Sequence, residues 1–495
     1  MMLKPRLSPI SVILALLLLS CKQPERVVVT EDPTASSPKT EKKDTSLRAS
    51  DFMQLNIGET DRISSLNPLF ADNASTMRAL QLVFEGLVRY NGDGVVVPAI
   101  AKKWTVSADS LTYRFTLHNN IYYHDSSVFP NGVGRKLTAR DVTYVFERMA
   151  RIDVPDYAAR LFMDIRGFEA FFKEQHNVWN PADRRLSGVR GIATPDDSTV
   201  TFTLARKDRW FLEKLASPYA VIYPREAVNE QNPAAFRPVG TGPFTFSQKQ
   251  GSNHFIFSAY QNYHRQGEPV INRVDVTVIA DGQALAEAMQ KGDLHLVPQL
   301  GPASMSRLVN ADGKPAPAFA GSFSLAYPAA KTFYALNHNP ESLLRREAAL
   351  AATAYAEPEA FFPEIPGTII EFGGSREAGP STGFAGADTL NITFTTDPFL
   401  RAFLQALKDT LSQRGIVLNM ADIRTPVRST GLYTDTHIPL HPADVWAGAP
   451  NTLIRFSARQ TAVYLSSIEN LTFNNYLWWM DLRPVTIPEI DNLGR

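Results

Sequence analysis

Hydrophobic positions follow two different periods in the first part of the chain after residue 50. Phe52, Leu55 and Ile57 alternate with polar residues, which predicts a strand over 52–57. A turn follows at 67–68. After Ser75 the apolar residues recur at helical spacing, at Met77, Leu80, Val83, Phe84 and Leu87. This spacing predicts a helix with Ser75 as its N-cap.

Turn signals divide the next stretch into hairpins and one further helix. The sequence NGDG at 91–94 is typical of a tight turn, and alternating apolar residues flank 108–110 and 195–198. These patterns predict hairpins at the last two places. In LTARDVTYVFERM, Thr138 is the expected helix cap. Strands and helices mix without strict alternation, which predicts an α/β or α+β fold rather than a barrel of repeats.

The first twenty residues have the pattern of an export signal. Basic residues precede an apolar block at 10–19, and a serine comes just before Cys21, the only cysteine in the chain. The block is too short to cross a bilayer core of about 30 Å. The sequence LLSC at 18–21 resembles the lipobox of bacterial lipoproteins, in which the cysteine becomes the first mature residue and carries the lipid. We predict a signal peptide over 1–20 and lipidation of Cys21.

The segment after Cys21 has the composition of a linker. It is rich in Lys, Glu, Thr, Ser and Pro, and its only apolar patch is Val27–Val29. Such a composition buries too little surface to offset the entropy of ordering it. The sequence therefore predicts a flexible tether over 21–50 and a folded part from Asp51.

Composition and charge exclude several classes of protein. Lys+Arg and Asp+Glu are 50 each, so the formal net charge is zero, and no long basic run favours nucleic acid. With 44% hydrophobic residues and no second long apolar run, the rest of the chain is typical of globular protein. Its length predicts two or three domains.

Several segments in a fixed order carry a family resemblance. They include AIAKKWTVSADSLTYRFTLHNNIYYHDSSVF, LTARDVTYVFERM, SGVRGIATPDDSTVTFTL, VGTGPFTF, NYHRQGEPVINRVDVTVI, MQKGDLHLVPQL, TFYALNHNPESLLRREAAL and LNITFTTDPFLRAFLQALKDTLSQRGIVLNM. In this order they resemble family 5 of the bacterial extracellular solute-binding proteins, the receptors of peptide and nickel ABC importers. The resemblance covers most of residues 52–420.

The resemblance implies a two-lobed periplasmic-binding-protein-like fold hinged around a central cleft. A small extra domain would lie on the first lobe. Lobe I is expected to comprise 51–67, 187–265 and 437–495, the extra subdomain 68–186, and lobe II 266–436.

The resemblance also places candidate ligand-binding residues at the cleft. They come from the loop 67–74, a strand of the second lobe and the segment 395–397, and are Asn67, Phe70, Asp72, Asn73, Tyr334, Asn337, Thr396 and Asp397. Trp446, like the pair Trp478-Trp479, is either a stacking surface for a ligand or part of the core. Asp72 and Asp397 are either grips for a cationic group or solvated helix caps.

The chain departs from the family pattern after residue 416. Compared with the family pattern, a stretch that carries a ligand-gripping aspartate in peptide receptors is shortened here, and TTDPF lacks the arginine that some dipeptide receptors use. Losing both anchors would remove or redirect short-peptide affinity. The family resemblance thus predicts a solute receptor of an ABC importer, and the departure leaves open a degenerate member acting as a non-transport envelope sensor.

Catalysis is not expected. The string GPSTG around Ser381 matches the G-x-S-x-G pattern of serine hydrolases, but its glycine-rich flanks lack the required strand and helix. His437 and His441 are separated by Pro439, which argues against a helical metal site. We expect no cofactor and no metal.

The expected partners are a small-molecule or oligopeptide ligand, a membrane permease and the lipid anchor, for a monomer in the cell envelope. The protein would face the periplasm from the inner or outer membrane, or the cell exterior.

Overall fold

The computed structural model describes residues 26–28, 53–232, 235–328, 330–339, 370–372, 389–394, 397–413, 415–422, 432–440, 452–459 and 461–487. The α-helices within these ranges are α1 (Ala74–Val83), α2 (Ala139–Met149), α3 (Tyr157–Leu161), α4 (Phe168–Asn177), α5 (Phe211–Leu215), α6 (Gly282–Gln290), α7 (Pro302–Leu308) and α8 (Pro398–Ser412). In these ranges no helix has the length and apolar character needed to cross a membrane.

The strands of the same ranges are numbered in chain order. They are β1 (Arg26–Val28), β2 (Gln54–Glu59), β3 (Glu85–Gly86), β4 (Val88–Tyr90), β5 (Val96–Pro98), β6 (Ala101–Val106), β7 (Thr112–Leu117), β8 (Ile192–Asp196), β9 (Thr199–Thr203), β10 (Val221–Ile222), β11 (Phe244–Gln250), β12 (His254–Ala259), β13 (Arg273–Val278), β14 (Leu296–Val297), β15 (Phe323–Ala326), β16 (Lys331–His338), β17 (Ile370–Phe372), β18 (Thr389–Phe394), β19 (Val417–Asp422), β20 (Leu432–His437), β21 (Thr452–Arg459), β22 (Ala462–Leu465), β23 (Thr472–Phe473) and β24 (Met480–Asp481).

A mixed seven-stranded sheet, in the order β11-β12-β13-β2-β14-β22-β15, organises the first lobe. The strand predicted at 52–57 is confirmed as β2, in which Leu55 and Ile57 are fully buried. β2 runs parallel to both β13 and β14. Because parallel strands end at the same edge, the residues after β2 lie at an edge where ligands commonly bind in α/β folds.

Helix α1 is confirmed as far as Val83, but it ends before the predicted positions Phe84 and Leu87, and the prediction of its cap is wrong. Asn73 is the N-cap, and its side chain accepts a hydrogen bond from the Thr76 backbone N–H at 2.8 Å. Ser75 lies inside the first turn, and its hydroxyl donates to Glu59 Oε2 at 2.6 Å. Asn and Ser are equally good caps, so the tertiary partner at Glu59 decided between them.

A five-stranded antiparallel sheet, in the order β1-β6-β7-β9-β8, packs with α2. The two hairpins predicted at 108–110 and 195–198 are confirmed as β6–β7 and β8–β9. Thr138 caps α2 in a capping box with Asp141, as predicted. Since β8 and β9 follow residue 186, this sheet extends beyond the boundary expected for the subdomain.

Strand β1 departs from the prediction of a flexible tether over 21–50. It pairs antiparallel with β6, with Val27 opposite Thr105 and Val28 opposite Trp104. The edge of β6 offers unpaired backbone groups with which this segment pairs. Residues 26–28 thus form an edge strand of the five-stranded sheet.

A six-stranded sheet, in the order β17-β21-β16-β20-β18-β19, organises the second lobe, and α8 packs against it. Its core is separate from that of the first lobe and includes Tyr334, Phe399 and Phe456. The expected lobe boundaries at 266 and 437 do not coincide with these sheets, because β13–β15 join the first sheet and β21 joins the second. The chain crosses between the sheets near residue 330 and again near residue 460.

Candidate functional site

Three consecutive polar residues at the carboxyl end of β2 are almost completely buried. Glu59, Thr60 and Asp61 are 2%, 3% and 3% exposed. Buried polar groups normally have hydrogen-bond partners, so each of the three requires an explanation.

Glu59 is explained by a buried ion pair with α1. Its two oxygens accept from Arg78 Nε at 2.8 Å and Arg78 Nη2 at 2.5 Å, and both residues are at most 2% exposed. Arg78 also donates to the Leu477 carbonyl at 2.6 Å and to Gln299 Oε1 at 3.3 Å. The guanidinium therefore has its charge balanced and its donors engaged by the first lobe itself.

Asp61 has no such compensation. Among the described residues, its Oδ1 atom is buried without a hydrogen-bond partner, and so is the Thr60 hydroxyl. Burial raises the pKa of Asp61 well above its ordinary value, and the nearby negative charge of Asp397 raises it further. Arg78 acts in the opposite direction, while Glu59 adds to the rise.

Asp397 is the N-cap of α8 in the second lobe. Its Oδ1 accepts from the Leu400 backbone N–H at 2.9 Å, and its Oδ2 accepts from the Tyr334 hydroxyl at 3.1 Å. The residue is 6% exposed. Burial raises the pKa of Asp397 to about 6, although the hydrogen bonds from Leu400 and Tyr334 oppose that rise.

We call Glu59, Asp61, Arg78, Tyr334 and Asp397 the inter-sheet cluster. Its first three members lie on β2, the residues just after it and α1, and the other two lie on β16 and α8. The charge of Asp397 raises the pKa of Asp61 after burial, and the pKa of Tyr334 is raised first by burial and then by these two carboxylates. The cluster therefore joins the two lobes electrostatically.

The predicted cleft loop 67–74 lies beside this cluster. Asp72 is exposed, accepts from Ser64 Oγ at 2.7 Å and from Asn73 Nδ2 at 2.8 Å, and its charge reaches Asp61. Asn67 is buried and caps a short 3-10 helix, Pro68–Phe70. Phe70 is half-buried against the first core. Asn67, Asn73 and Phe70 thus have structural contacts, whereas Asp72 presents charge toward the cluster.

The predicted strand residues of the second lobe are fully buried. The ring of Tyr334 stacks on Phe456 with ring centroids 4.8 Å apart. Its hydroxyl donates to Asp397, and through this hydrogen bond Tyr334 belongs to the inter-sheet cluster. Asn337 accepts from Thr452 Oγ1 at 2.7 Å within the same sheet. The structure therefore brings Tyr334, Asp397 and Asp72 together with Asp61, but not Asn337.

Of the other predicted positions, some lie within the described ranges and some lie outside them. Trp478 and Trp479 are 1% and 5% exposed and belong to the core of the first lobe. Cys21, Ser381, Thr396, His441 and Trp446 lie outside the described residues. Sequence reasoning missed Asp61, Glu59 and Arg78. The available signal was the polar run ETD directly after a buried strand.

A second buried carboxylate shows what a compensated site looks like in this protein. Glu85 accepts hydrogen bonds from Tyr263 at 2.8 Å and Thr241 at 3.1 Å, and His264 Nε2 lies 3.0 Å away. Burial would raise the pKa of Glu85, but His264 and the other partners lower it to about 2. Glu85 is thus a satisfied structural anion, in contrast to Asp61, whose Oδ1 has no hydrogen-bond partner among the described residues.

The described residues contain no group of three or more His, Cys, Asp or Glu side chains arranged to hold a metal ion. The inter-sheet cluster offers two carboxylates, a phenol hydroxyl and a threonine hydroxyl near the first carboxylate. Its chemistry suits hydrogen-bond donors that carry positive charge.

Comparison with known proteins agrees with the architecture. Residues 95–356 match the model of bacterial extracellular solute-binding proteins, family 5, middle part. Di/tripeptide-binding protein 1 of Pseudomonas aeruginosa is 27% identical over 281 residues, which cover 55% of this chain and 48% of that protein. The dipeptide-binding protein of Escherichia coli is 27% identical over 250 residues, 49% of this chain and 44% of that protein. The matches thus span about half the length of these curated relatives.

The solved structures show the same fold over a larger part of the chain. Haemophilus influenzae OppA in complex with the peptide RPPGFSPFR superposes with a TM-score of 0.70 at 12% identity, covering 88% of this chain and 99% of that one. The structural relatives are two-lobed binding proteins, as the sequence predicts. The family model covers more than half of the chain, and the chain therefore belongs to family 5 of the bacterial extracellular solute-binding proteins.

Proposed function

We propose that this protein is the substrate-binding lipoprotein of an ABC importer. It captures a peptide-like or other small solute between its lobes and delivers the solute to a membrane permease. The observation that carries the proposal is the inter-sheet cluster, in which polar groups from two separately packed lobes face one another. Family membership supports it, because the relatives are binding proteins for di- and tripeptides and for dipeptides.

The physical mechanism is hinge closure biased by the ligand. Each lobe has its own hydrophobic core, so the lobes can move as units while their interiors stay packed. A ligand that contacts both lobes favours the closed state by the difference between its affinities for the two states. The division into lobe I, an extra subdomain and lobe II is part of this proposal, with the lobe crossings placed near residues 330 and 460.

Ligand capture is tested on the full-length chain in detergent, since β1 belongs to the fold. Pools of peptides, amines, sugars and metal ions are added, and native mass spectrometry identifies what is retained. We expect a bound solute, a rise in the unfolding temperature and a smaller radius of gyration in X-ray scattering. Bare protein and an unchanged unfolding temperature across all pools would overturn the proposal.

Transport is separated from sensing in a second experiment. A strain that lacks the protein is compared with the parent for uptake of the identified solute. Loss of uptake supports the importer role. Normal uptake, together with retained binding, favours the alternative of a non-transport envelope sensor.

We also propose that the protein is anchored by a lipid on Cys21, faces the periplasm or the cell exterior and acts as a monomer. The support is the signal pattern at 1–20 and the LLSC sequence. Cys21→Ser should release the protein from the membrane fraction and remove the acyl mass. A membrane-bound Cys21→Ser variant with unchanged mass would contradict the anchor.

A further inference from the structure

The five-stranded sheet β1-β6-β7-β9-β8 has one apolar face that is covered by a helix. On this face Trp104, Phe115 and Val200 lie opposite one another across β6, β7 and β9, and each is at most 2% exposed. Helix α2 lies on the same side, because Phe146 contacts Phe202 of β9 with ring centroids 5.0 Å apart. Side chains alternate along a strand, so the residues between these positions point to the other face.

The other face of the sheet is open and positively charged beside β1. Lys103 lies opposite Thr116, and Arg114 lies between Thr105 and Thr201. The two cationic residues are exposed, and the three threonines are half-buried. Within the part of the chain that the structure describes, neither Lys103 nor Arg114 has an ion-pair partner. Both charges are therefore available to an anion outside the protein.

The acidic residues of the same sheet lie away from these cations. Strands β6 to β9 contain one acidic residue, Asp196 of β8, which accepts two hydrogen bonds from Ser198 at 2.8 Å. Three strand spacings of about 4.8 Å separate β8 from Lys103 on β6, and their sum exceeds the Debye length of about 8 Å at physiological salt. Asp109 lies in the turn before β7, where the charge of Lys207 acts on it. Positive charge thus prevails on the part of the face nearest β1.

The proposed lipid anchor at Cys21 lies only five residues before Arg26, the first residue of β1. An extended chain spans at most about 3.6 Å per residue, so these five residues reach roughly 18 Å. A globular chain of about 440 residues is roughly 55 Å across, from a radius of gyration of about 22 Å. The lipid therefore keeps the β1 edge of the sheet beside the bilayer, and the far side of the protein cannot take its place.

We propose that the open face of the five-stranded sheet docks on the anionic surface of the bilayer that holds the lipid. Lys103 and Arg114 donate charge-assisted hydrogen bonds to the phosphate groups of the lipids, and the threonine hydroxyls can donate to the same oxygens. A second copy of the chain is a poorer occupant, because the same face on two copies would bring like charges together. This inference rests on the proposed lipid anchor and is independent of ligand capture.

Docking through this sheet leaves the solute-binding region free. Its five strands belong neither to the seven-stranded sheet of the first lobe nor to the six-stranded sheet of the second lobe. The inter-sheet cluster lies on elements that pack with those two sheets. The second lobe can therefore close while the protein keeps one orientation on the membrane that carries the permease.

The test measures how close this face lies to the bilayer in the full-length lipoprotein, reconstituted in vesicles. Cys21 is the only cysteine of the chain, and the lipid blocks its thiol, so an introduced cysteine is the single labelling site. Ala193→Cys places a fluorophore on the open face, because Ala193 is exposed and lies opposite Thr201. Gln405→Cys places the same fluorophore on an exposed position of α8 in the second lobe. Lipids with a nitroxide on the headgroup quench a fluorophore that lies near the bilayer surface.

The two labels should give different results. In vesicles of phosphatidylcholine and phosphatidylglycerol we expect strong quenching of the label at Ala193 and little quenching of the label at Gln405. In vesicles of phosphatidylcholine alone the quenching at Ala193 should weaken, because the anionic headgroups are absent.

Matched charge variants test the role of the two cations. Lys103→Gln combined with Arg114→Gln should lower the ratio of docked to undocked protein about 30-fold, from about 5-fold for each cation near an anionic surface. The control is Lys314→Gln combined with Lys408→Gln, which removes two exposed cations outside the sheet and should leave the quenching unchanged. High salt should reproduce the loss in the protein with both cations, so the test stays decisive if the double variant fails to fold.

The failures are distinguishable. Equal quenching of the two labels, or quenching at Ala193 that the charge variant and high salt leave unchanged, overturns the docking face and leaves ligand capture standing. Loss of quenching in Trp179→Ser but not in the charge variant also overturns it, because the contact would then belong to Trp179, which is 85% exposed in the segment after α4.

Two further outcomes concern the partner and the anchor. A disulfide between two copies through Ala193→Cys, formed on the vesicles in place of quenching, would assign the face to a second copy. Protein without acyl mass on Cys21 overturns the anchor and this inference together. Intact quenching in a protein that retains no solute overturns only the receptor function.

Discussion

The pH dependence of Asp397 provides a quantitative test of the inter-sheet cluster. Burial raises the pKa of Asp397 from 3.8 to about 6, so the folded protein holds this proton more tightly than the unfolded chain. The resulting stabilisation is complete below the unfolded pKa and is lost as the pH rises through the folded pKa. The perturbation is Asp397→Asn, which removes the titration and keeps the helix cap.

The magnitude follows from the two pKa values. At pH 7.5 the protonation of Asp397 contributes almost nothing, and at pH 5 it contributes on the order of 1 kcal/mol to the free energy of unfolding, from an ordinary pKa of 3.8 and a folded pKa of about 6. For an unfolding unit of about 150 to 250 residues, this corresponds to roughly 2–4 °C in unfolding temperature.

Buried histidines also make the unfolding temperature depend on pH, and comparison of the wild type with the variant cancels their contribution. Burial lowers the pKa of His118 and of His124 to about 4, so both rings stabilise the protein above pH 6.5 and lose that stabilisation as the pH falls. Their effect has the opposite sign and is common to wild type and variant. The informative quantity is therefore the difference in unfolding temperature between the two proteins.

The assay is differential scanning calorimetry of both ligand-free proteins at several pH values between 5 and 7.5. We expect the wild type to gain stability relative to Asp397→Asn as the pH falls through 6. A constant difference across this range would refute the burial and charge coupling that we assign to the cluster.

Three further predictions concern the scaffold around the site. Glu59→Gln leaves the guanidinium on α1 buried without its counter-ion and should cost about 3–5 kcal/mol of stability in chemical denaturation. Glu169→Gln, in an exposed pair with Lys173, should change the stability far less, and equal losses would contradict the first value. Gly240→Ala places a methyl group 2.0 Å from a backbone carbonyl oxygen at the end of α1, so it should lower the unfolding temperature, and an unchanged temperature would show that this contact yields. Val27→Pro should speed amide exchange at 104–106 because it disrupts the pairing of β1, and unchanged exchange there would argue against β1.

Local sequence patterns were sufficient to predict an element wherever that element depends only on residues close together in the chain. The capping box at Thr138 and Asp141 depends on residues three apart, and the hairpin of β6 and β7 depends on a turn flanked by alternating side chains. The cap of α1 was mispredicted because two suitable residues stand two positions apart. The choice depended on Glu59, which lies sixteen residues before Ser75 in the chain.

The candidate site was only partly accessible from the sequence. The family resemblance pointed to Tyr334 and Asp397, and the structure joins them by a hydrogen bond. The sequence could not identify Asp61 as a site residue, because a single carboxylate after a strand is usually solvated. Only the packing of the first lobe shows that this carboxylate is buried, that its Oδ1 lacks a donor among the described residues and that the Arg78 guanidinium is already paired with Glu59.

The sequence by itself thus determined the family, the mixed α/β class and the local elements, because periodicity, caps and turns act over a few residues. The tertiary structure decided which strands share a sheet, how the patch at 26–28 completes an edge, and which charges meet between the lobes. Residues 61 and 397 are separated by more than 300 positions. Their mutual repulsion arises only from folding, since an electrostatic interaction depends on distance in space and on burial.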